Sequence, residues 1–323
     1  MAPSQQNPSS TPKITKRYRR KKIKLFFNPN SGEAKSGLPT LEDILRMLNE
    51  YRFETDVFLI EPNCDLEGGI QKAFADGIDL FVACGGDGTA SSVGRLLAGS
   101  NATLGIIPMG TQNNSAYAYG IPEDLAGAVR VLREGRKLKV DVGQVTVNKK
   151  TVNFVEILSV GLVTDLFQPA DDFQHGNILK IGEFFRTLFA GKPADFEIKA
   201  DSLTEPLKAT GHVLLIANMP VVGAHFRLGK RSAMQDGKLD VMFFQDSSKL
   251  DLIAYMFQGM REGIVKDEKI KHILASDVSV KVSPSMAVMY DGVPFEEGHL
   301  EVSILKHALT MLIPKSSRVR QTT

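Results

Sequence analysis

The sequence predicts an α/β chain in two parts, a doubly wound parallel-sheet domain followed by a mainly antiparallel β-sandwich domain. Three observations carry this reading. Between Ile23 and Gly135, apolar runs of strand length alternate with helix-period segments. Beyond Lys137 that alternation gives way to short β-rich runs separated by turn residues. The third is size: 323 residues with 43% hydrophobic side chains can bury two cores. The expected divisions are a disordered basic leader over 1–22, the α/β domain over 23–138, the sandwich over 139–306, a return to the first domain over 307–315, and a disordered tail over 316–323.

The first strand is Ile23 to Phe27, left through the turn residues Asn28-Pro29-Asn30-Ser31-Gly32. A helix follows from Thr40, with Asp43 three residues on as in a capping box and Leu41, Ile44, Leu45 and Leu48 as its apolar stripe. A strand over Thr55 to Ile60 leads to a helix opened by Asp65 and closed at Gly77. Ile78-Asp79-Leu80-Phe81-Val82-Ala83 is a short, mostly apolar run of the kind that forms a buried parallel strand, and Thr89 to Leu97 has helix spacing with Val93, Leu96 and Leu97 on one side. Thr103 to Ile107 is the next strand, ended by Pro108-Met109-Gly110-Thr111-Gln112-Asn113-Asn114, and Glu123 and Asp124 open a helix that stops at Gly135. In the second part strands are expected at Val140 to Val147, Val152 to Val160, Phe196 to Ala200, Ala209 to Ala217, Leu239 to Phe244, Val278 to Val282, Ala287 to Tyr290 and Leu300 to Ile304. Helices interrupt them at Ile178 to Phe189 and Leu250 to Met260.

Chemistry concentrates at Cys84-Gly85-Gly86-Asp87-Gly88-Thr89, which joins a buried strand to a helix start. Glycines there let a backbone approach a ligand, and the free N–H groups of a helix start favour an anion. The reading is a phosphate cradle holding one carboxylate, Asp87; the alternative is an ordinary tight turn. G-x-x-x-x-G-K-[ST] is absent, and G-x-G-x-x-G fails because Ser91 occupies the third glycine position. Parallel strands deliver their loops to one sheet edge, so the 108–114 loop is expected beside Asp87.

Composition excludes several classes. No run of 18 apolar residues exists for a membrane-spanning helix. Cys64 and Cys84 make neither a disulfide framework nor a metal set, in keeping with a reducing cytoplasm. Protease H-E-x-x-H and hydrolase G-x-S-x-G signatures are missing. The formal charge of +2 conceals eight basic residues between Lys13 and Lys24, which leave the rest of the chain at −6. That cluster suits a solvated leader or peripheral contact with an anionic membrane; the acidic remainder argues against nucleic acid.

Four motifs in order, Asn28-Pro29-x-Ser31-Gly32, Gly85-Gly86-Asp87-Gly88-Thr89, Pro108-x-Gly110-Thr111-x-Asn113 and Asp236-Gly237-x-Leu239-Asp240, resemble the diacylglycerol kinase catalytic-domain family, in particular its small soluble bacterial lipid kinases. The resemblance spans about Ile23 to Pro314 and implies an ATP-dependent lipid kinase with nucleotide held between a Rossmann-like domain and a sandwich. It places Gly85, Gly86, Asp87, Gly88, Thr89, Ala90, Ser91 and Thr111 on the nucleotide phosphates and Asn28 near the nucleotide. Asp87 is implied either to organise Mg²⁺ and phosphates or to accept the proton of the lipid hydroxyl, with Asp291 as the second catalytic candidate. A structural Mg²⁺ falls on the Asp236 carboxylate and the carbonyls of Ala233 and Lys238, where a hairpin turn is the alternative. The chain departs from the family in three acids: Asn114 stands for Asp, Val293 for the Glu implied as base, and Ser92 for Glu. Those losses keep a second reading open, a catalytically weak nucleotide- or lipid-binding relic. NAD kinase shares the Gly-Gly-Asp-Gly loop, but no later Gly-Ser-Thr-Ala-Tyr-like segment is present. Neither the lipid nor the oligomeric state, a homodimer being one candidate, is encoded in these features.

Overall fold

The computed structural model describes residues 19–32, 37–161, 192–222, 226–227, 234–248, 250–252, 254–255, 258, 267–317 and 319. The first layer contains β1 (Lys21–Phe27), α1 (Leu41–Glu50), β2 (Phe53–Leu59), α2 (Leu66–Ala75), β3 (Leu80–Gly85), α3 (Asp87–Leu97), β4 (Thr103–Pro108), α4 (Asn114–Tyr119) and α5 (Leu125–Glu134). The second contains β5 (Arg136–Val147), β6 (Lys150–Phe154), β7 (Ile157–Gly161), β8 (Ala194–Ala200), β9 (Leu207–Ala217), β10 (Val221–Val222), β11 (Phe226–Arg227) and β12 (Leu239–Gln245). It closes with β13 (Ile270–Ala275), β14 (Asp277–Ser283), β15 (Val288–Tyr290), β16 (Val293–Phe295) and β17 (Leu300–Ile313).

The parallel strands lie in the order β2-β1-β3-β4. The chain therefore moves outward from β1 to β2, then crosses back over β1 to β3. This makes the gap between β1 and β3 the switch point, where the loops following the two strands splay apart. The strands leading there are buried because helices cover both faces: α1 packs on α5, and α2 on α3. Thr40 and Asp43 form the expected capping box, and Asp65 and Asp124 cap α2 and α5 by accepting from Gly68 and Gly127 N–H.

The sandwich strands pair antiparallel around a separate core that includes Phe154, Phe196, Phe243, Ile216 and Val280. One strand unites the layers: β17 runs antiparallel to β5 over its length, and its last residues lie parallel to β4. A register shift between Leu305 and Leu309 marks the passage, so what reads in sequence as two short segments is a single bulged strand.

Other expectations need correction. The strand expected over Val152 to Val160 is broken at Val155 and Glu156, because their amides turn to a carboxylate from another strand. Helix α3 begins at Asp87, not Thr89, and Leu96 is 39% exposed, so its buried side is carried by Val93 and Leu97. Lys21 and Lys22 are part of β1, where Lys21 faces Asp79 and Lys22 faces Glu54. Lys24 is buried and bonded to Asp56 at 2.7 Å, so it is not available to a membrane. Strands β13 and β16 and helix α4 had no sequence signal strong enough to be expected. The expected helix over 178–189 lies outside the described residues; of 250–260, Leu250 to Leu252, Ala254, Tyr255 and Gln258 are described and helical.

Candidate functional site

The loops after β1, β3 and β4 meet at the switch point. Asn28 N–H donates to the Cys84 carbonyl at 3.0 Å, and Asn28 Nδ2 donates to Thr89 Oγ1 at 3.1 Å. Ser31 Oγ accepts from Gly86 N–H at 3.2 Å. Met109 N–H donates to the Gly85 carbonyl. The glycines are needed for these contacts: a Cβ on Gly85 would stand 2.4 Å from Thr89 Oγ1, and one on Gly86 3.2 Å from Gly110 Cα. Gly88 has open space where its Cβ would be. Asn113 closes the other loop on itself, accepting from Gly110 N–H at 2.9 Å and donating to the Gly110 carbonyl at 2.8 Å, with a left-handed φ of 52° that Asn tolerates.

Helix α3 starts here with Gly86 as its N-cap, a residue with no side chain to cap the helix. A helix start of this kind carries the positive end of the helix dipole. Asp87 lies in this first turn, half-buried, with Oδ1 accepting from Ser115 N–H at 3.0 Å and Oδ2 from Asn114 Nδ2 at 3.4 Å. Ala90 and Ser91 are buried beneath the turn, Ser91 Oγ donating to the Gly88 carbonyl at 3.4 Å. Thr111 is half-buried at the mouth of the second loop. The structure accordingly gathers Asn28, Gly85 through Ser91 and Thr111 in one place.

Asp291 has a setting unlike that of a free catalytic carboxylate. It sits in the tight turn between β15 and β16, and both of its oxygens are engaged. Val155 N–H donates to Oδ2 at 2.8 Å, and Glu156 and Ile157 N–H donate to Oδ1 at 2.8 and 3.0 Å. Arg95, from α3, lies 3.4 Å from Oδ2. Burial pushes its carboxyl above the usual range, against the pull of those amides and the guanidinium. Val293 follows on β16, opposite Tyr290.

The structure adds a carboxylate that motif reading missed. Glu156, at the break between β6 and β7, is buried, and Oε1 accepts from Ser115 Oγ at 2.8 Å. Burial first, then the charges of Asp87 and Asp291, hold its carboxyl well above the usual range. Its one sequence signal is that it is a lone acid within the apolar run Phe154 to Val160. Asn114, next to Ser115, is 3% exposed, and its Oδ1 has no hydrogen-bond partner among the described residues.

The Asp236 segment lies apart from the glycine loops. Asp236 Oδ1 accepts from Lys238 N–H at 3.0 Å, Gly237 has φ 69°, and Gly237 N–H donates to buried Asp141 Oδ2 at 2.8 Å. Burial and the neighbouring Asp240 and Asp141 raise the Asp236 carboxyl. What is described is a fastened turn; Ala233 lies outside the described residues. Among the described residues no group of three or more His, Cys, Asp or Glu is arranged around a metal position, and no helix is long and apolar enough to cross a membrane.

Fold and loops together define a doubly wound α/β protein with an appended sandwich and a glycine-lined switch-point site. Comparison with known proteins finds similarities over both parts of the chain. Residues 22–145 match the diacylglycerol kinase catalytic domain, and residues 181–313 match the YegS C-terminal NAD kinase beta sandwich-like domain. The chain is 27% identical over 278 residues to a Bacillus subtilis (strain 168) protein named diacylglycerol kinase, covering 84% of this chain and 89% of that one. A Staphylococcus saprophyticus protein of the same name is 26% identical over 283 residues, covering 84% and 89%. A Bacillus anthracis (strain Sterne) crystal structure titled as a diacylglycerol kinase superposes with a TM-score of 0.69 at 20% identity, covering 92% of this chain and 98% of that one. Residues 22–145, which hold the first three of the four motifs, are thus similar to the diacylglycerol kinase catalytic domain.

Proposed function

We propose that this protein is an ATP-dependent lipid kinase that transfers the γ-phosphate to a hydroxyl of a diacylglycerol-like lipid. The observation that carries the reading is the contact of the two glycine loops, Gly86 against Gly110, at the start of helix α3. Such a site offers backbone N–H groups to phosphates without a side chain in the way. The residues also suit a magnesium nucleotide, because Asp87 is half-buried and the neighbouring Asn114 Oδ1 lacks a donor. When bound, Mg²⁺ would neutralise charge on the phosphates.

In the transfer, the lipid oxygen forms a bond to the γ-phosphorus, the bond from that phosphorus to the β–γ bridging oxygen breaks, ADP leaves, and the hydroxyl proton goes to a carboxylate. Phosphoryl transfer depends chiefly on positioning and charge, which is why the loops matter more than any nucleophile. Asp87 is the carboxylate best placed for a role at the reacting groups, since it shares its turn with the cradle. Asp291, with both oxygens engaged, instead holds the strand break that carries Glu156. The basic residues from Lys13 to Lys22 would bring a cytoplasmic protein to an anionic membrane containing the lipid. A magnesium at Asp236 would take its carboxylate and the Lys238 carbonyl, in the turn that precedes β12.

The test is radiolabelled ATP with total lipid extract, diacylglycerol, sphingosine and NAD. Label in diacylglycerol or another lipid is expected, and absence of label from every lipid would overturn the reading. A second reading, a nucleotide- or lipid-binding relic, is favoured by Asn114 and Val293, which cannot accept a proton as a carboxylate does; it predicts nucleotide binding with no labelled product.

A further inference from the structure

Three carboxylates from separate elements approach one another where the two layers meet. Asp87 comes from the first turn of α3, Glu156 from the β6–β7 break and Asp291 from the β15–β16 turn. Arg95 pairs with Asp291, which three amides also satisfy. Asp87 and Glu156 are joined differently, through Ser115: its N–H donates to Asp87 and its Oγ to Glu156. Beside this pair Asn114 directs Nδ2 to Asp87 Oδ2 and leaves Oδ1 with no partner, although it is 3% exposed. Buried acids and an unsatisfied oxygen are costly as they stand, and a cation placed among them removes that cost.

We propose that Glu156 is a positioning residue for the divalent cation that accompanies the nucleotide, its carboxylate acting through Ser115 to supply the negative charge that Asn114 cannot. The inference rests on the nucleotide reading given above. Ser115 makes Asp87 and Glu156 one hydrogen-bonded unit, so a cation at Asp87 Oδ2 draws off the proton that burial otherwise keeps on Glu156 and then experiences both charges. Glu156 touches neither substrate nor nucleotide in this arrangement. The buried pocket lacks the screening of bulk water, so a charge one residue removed from the cation still counts.

The experiment follows thermal unfolding at saturating ADP while Mg²⁺ is titrated, which gives a Mg²⁺ midpoint for ADP-dependent stabilisation. Glu156→Gln keeps an oxygen to accept from Ser115 and removes only the charge; it should raise the midpoint roughly tenfold. Glu156→Asp, which keeps the charge, should stay closer to the starting protein than Glu156→Gln does. Asn114→Asp combined with Glu156→Gln should bring the midpoint back, because it returns a carboxylate to the same unit. An unchanged midpoint in Glu156→Gln overturns the role of Glu156 and leaves the nucleotide reading standing. A raised midpoint that Asn114→Asp does not restore shows that Glu156 serves packing alone, and also overturns the proposal. If the starting protein shows no Mg²⁺-dependent stabilisation by ADP, the nucleotide reading falls and this inference with it.

Discussion

Gly110 and Gly86 are packed so closely that a Cβ built on Gly110 would lie 2.5 Å from Gly86 Cα and 3.0 Å from Asn113 Oδ1. The obstacle is backbone, so it cannot rotate aside. Gly110→Ala should therefore destabilise the fold by about 1 to 3 kcal/mol, the usual range for forced overpacking, and weaken stabilisation by ADP. Gly88 provides the contrast, since its added Cβ meets nothing within 4 Å and it lies in the first turn of a helix. Gly88→Ala should leave the melting temperature equal or slightly higher while still reducing ADP binding. A Gly88→Ala protein that binds ADP as the starting protein does would move the phosphates away from this turn.

Asp87 is tested by its amide. Asp87→Asn keeps the shape of the side chain and should leave ADP binding largely intact, yet it should lower the rate of lipid phosphorylation at least about 10²-fold, the pattern of a group needed in the transition state. Val293→Glu returns a carboxylate to the β15–β16 hairpin and should raise the rate without unfolding the protein, as Val293 is only half-buried. Equal turnover in Asp87→Asn and the starting protein would remove Asp87 from the chemistry.

The basic leader gives a prediction of a different kind. Deleting residues 1–19 removes four cations of the Lys13 to Lys24 cluster, up to and including Arg19. It leaves β1 and the Lys24–Asp56 pair whole. Binding to vesicles of anionic lipid should weaken, most at low salt, where screening is least. Turnover on detergent-dispersed lipid should be kept. Vesicle binding that is the same with and without the leader would show that these residues are only solvated.

The parallel sheet was legible because its signals are local: uninterrupted apolar runs for β3 and β4, Thr40 with Asp43 for α1, Asp65 for α2, and glycines where loops must touch. The order of the strands, and hence the placing of Asn28 beside Thr89, was not legible, because alternation of strands and helices predicts a parallel sheet without ordering it. Glu156 was not legible. Its partners Ser115, Asp87 and Asp291 lie 41, 69 and 135 positions away along the chain, and no spacing rule links residues joined by a break in a sandwich strand. The same holds for Asp291, whose Asp-Gly turn is plain in sequence while its three amide donors come from the start of β7, the strand paired with β15 but more than 130 positions away.

Glu156 also leads to a prediction about stability and pH. Its carboxyl is held well above the ordinary value of 4.5, chiefly by burial and then by Asp87 and Asp291. The folded protein therefore retains a proton that the unfolded chain has released once the pH exceeds about 4.5. Stability contributed by the protonated group is complete below that pH and declines as pH rises toward the folded pKa, because the native state binds more protons than the unfolded one. Glu156→Gln is neutral at every pH and keeps an acceptor for Ser115 Oγ, so it escapes this loss. The variant and the starting protein should be about equally stable near pH 4. Above it the variant should gain by about 1.4 kcal/mol for each pH unit until the folded pKa is passed, after which the difference levels off. Chemical denaturation between pH 4 and pH 9 without nucleotide or metal measures this directly. A difference that stays constant over that range would mean that Glu156 keeps an ordinary carboxylate pKa in the folded state, and that the buried charge is compensated by a group other than those around it here.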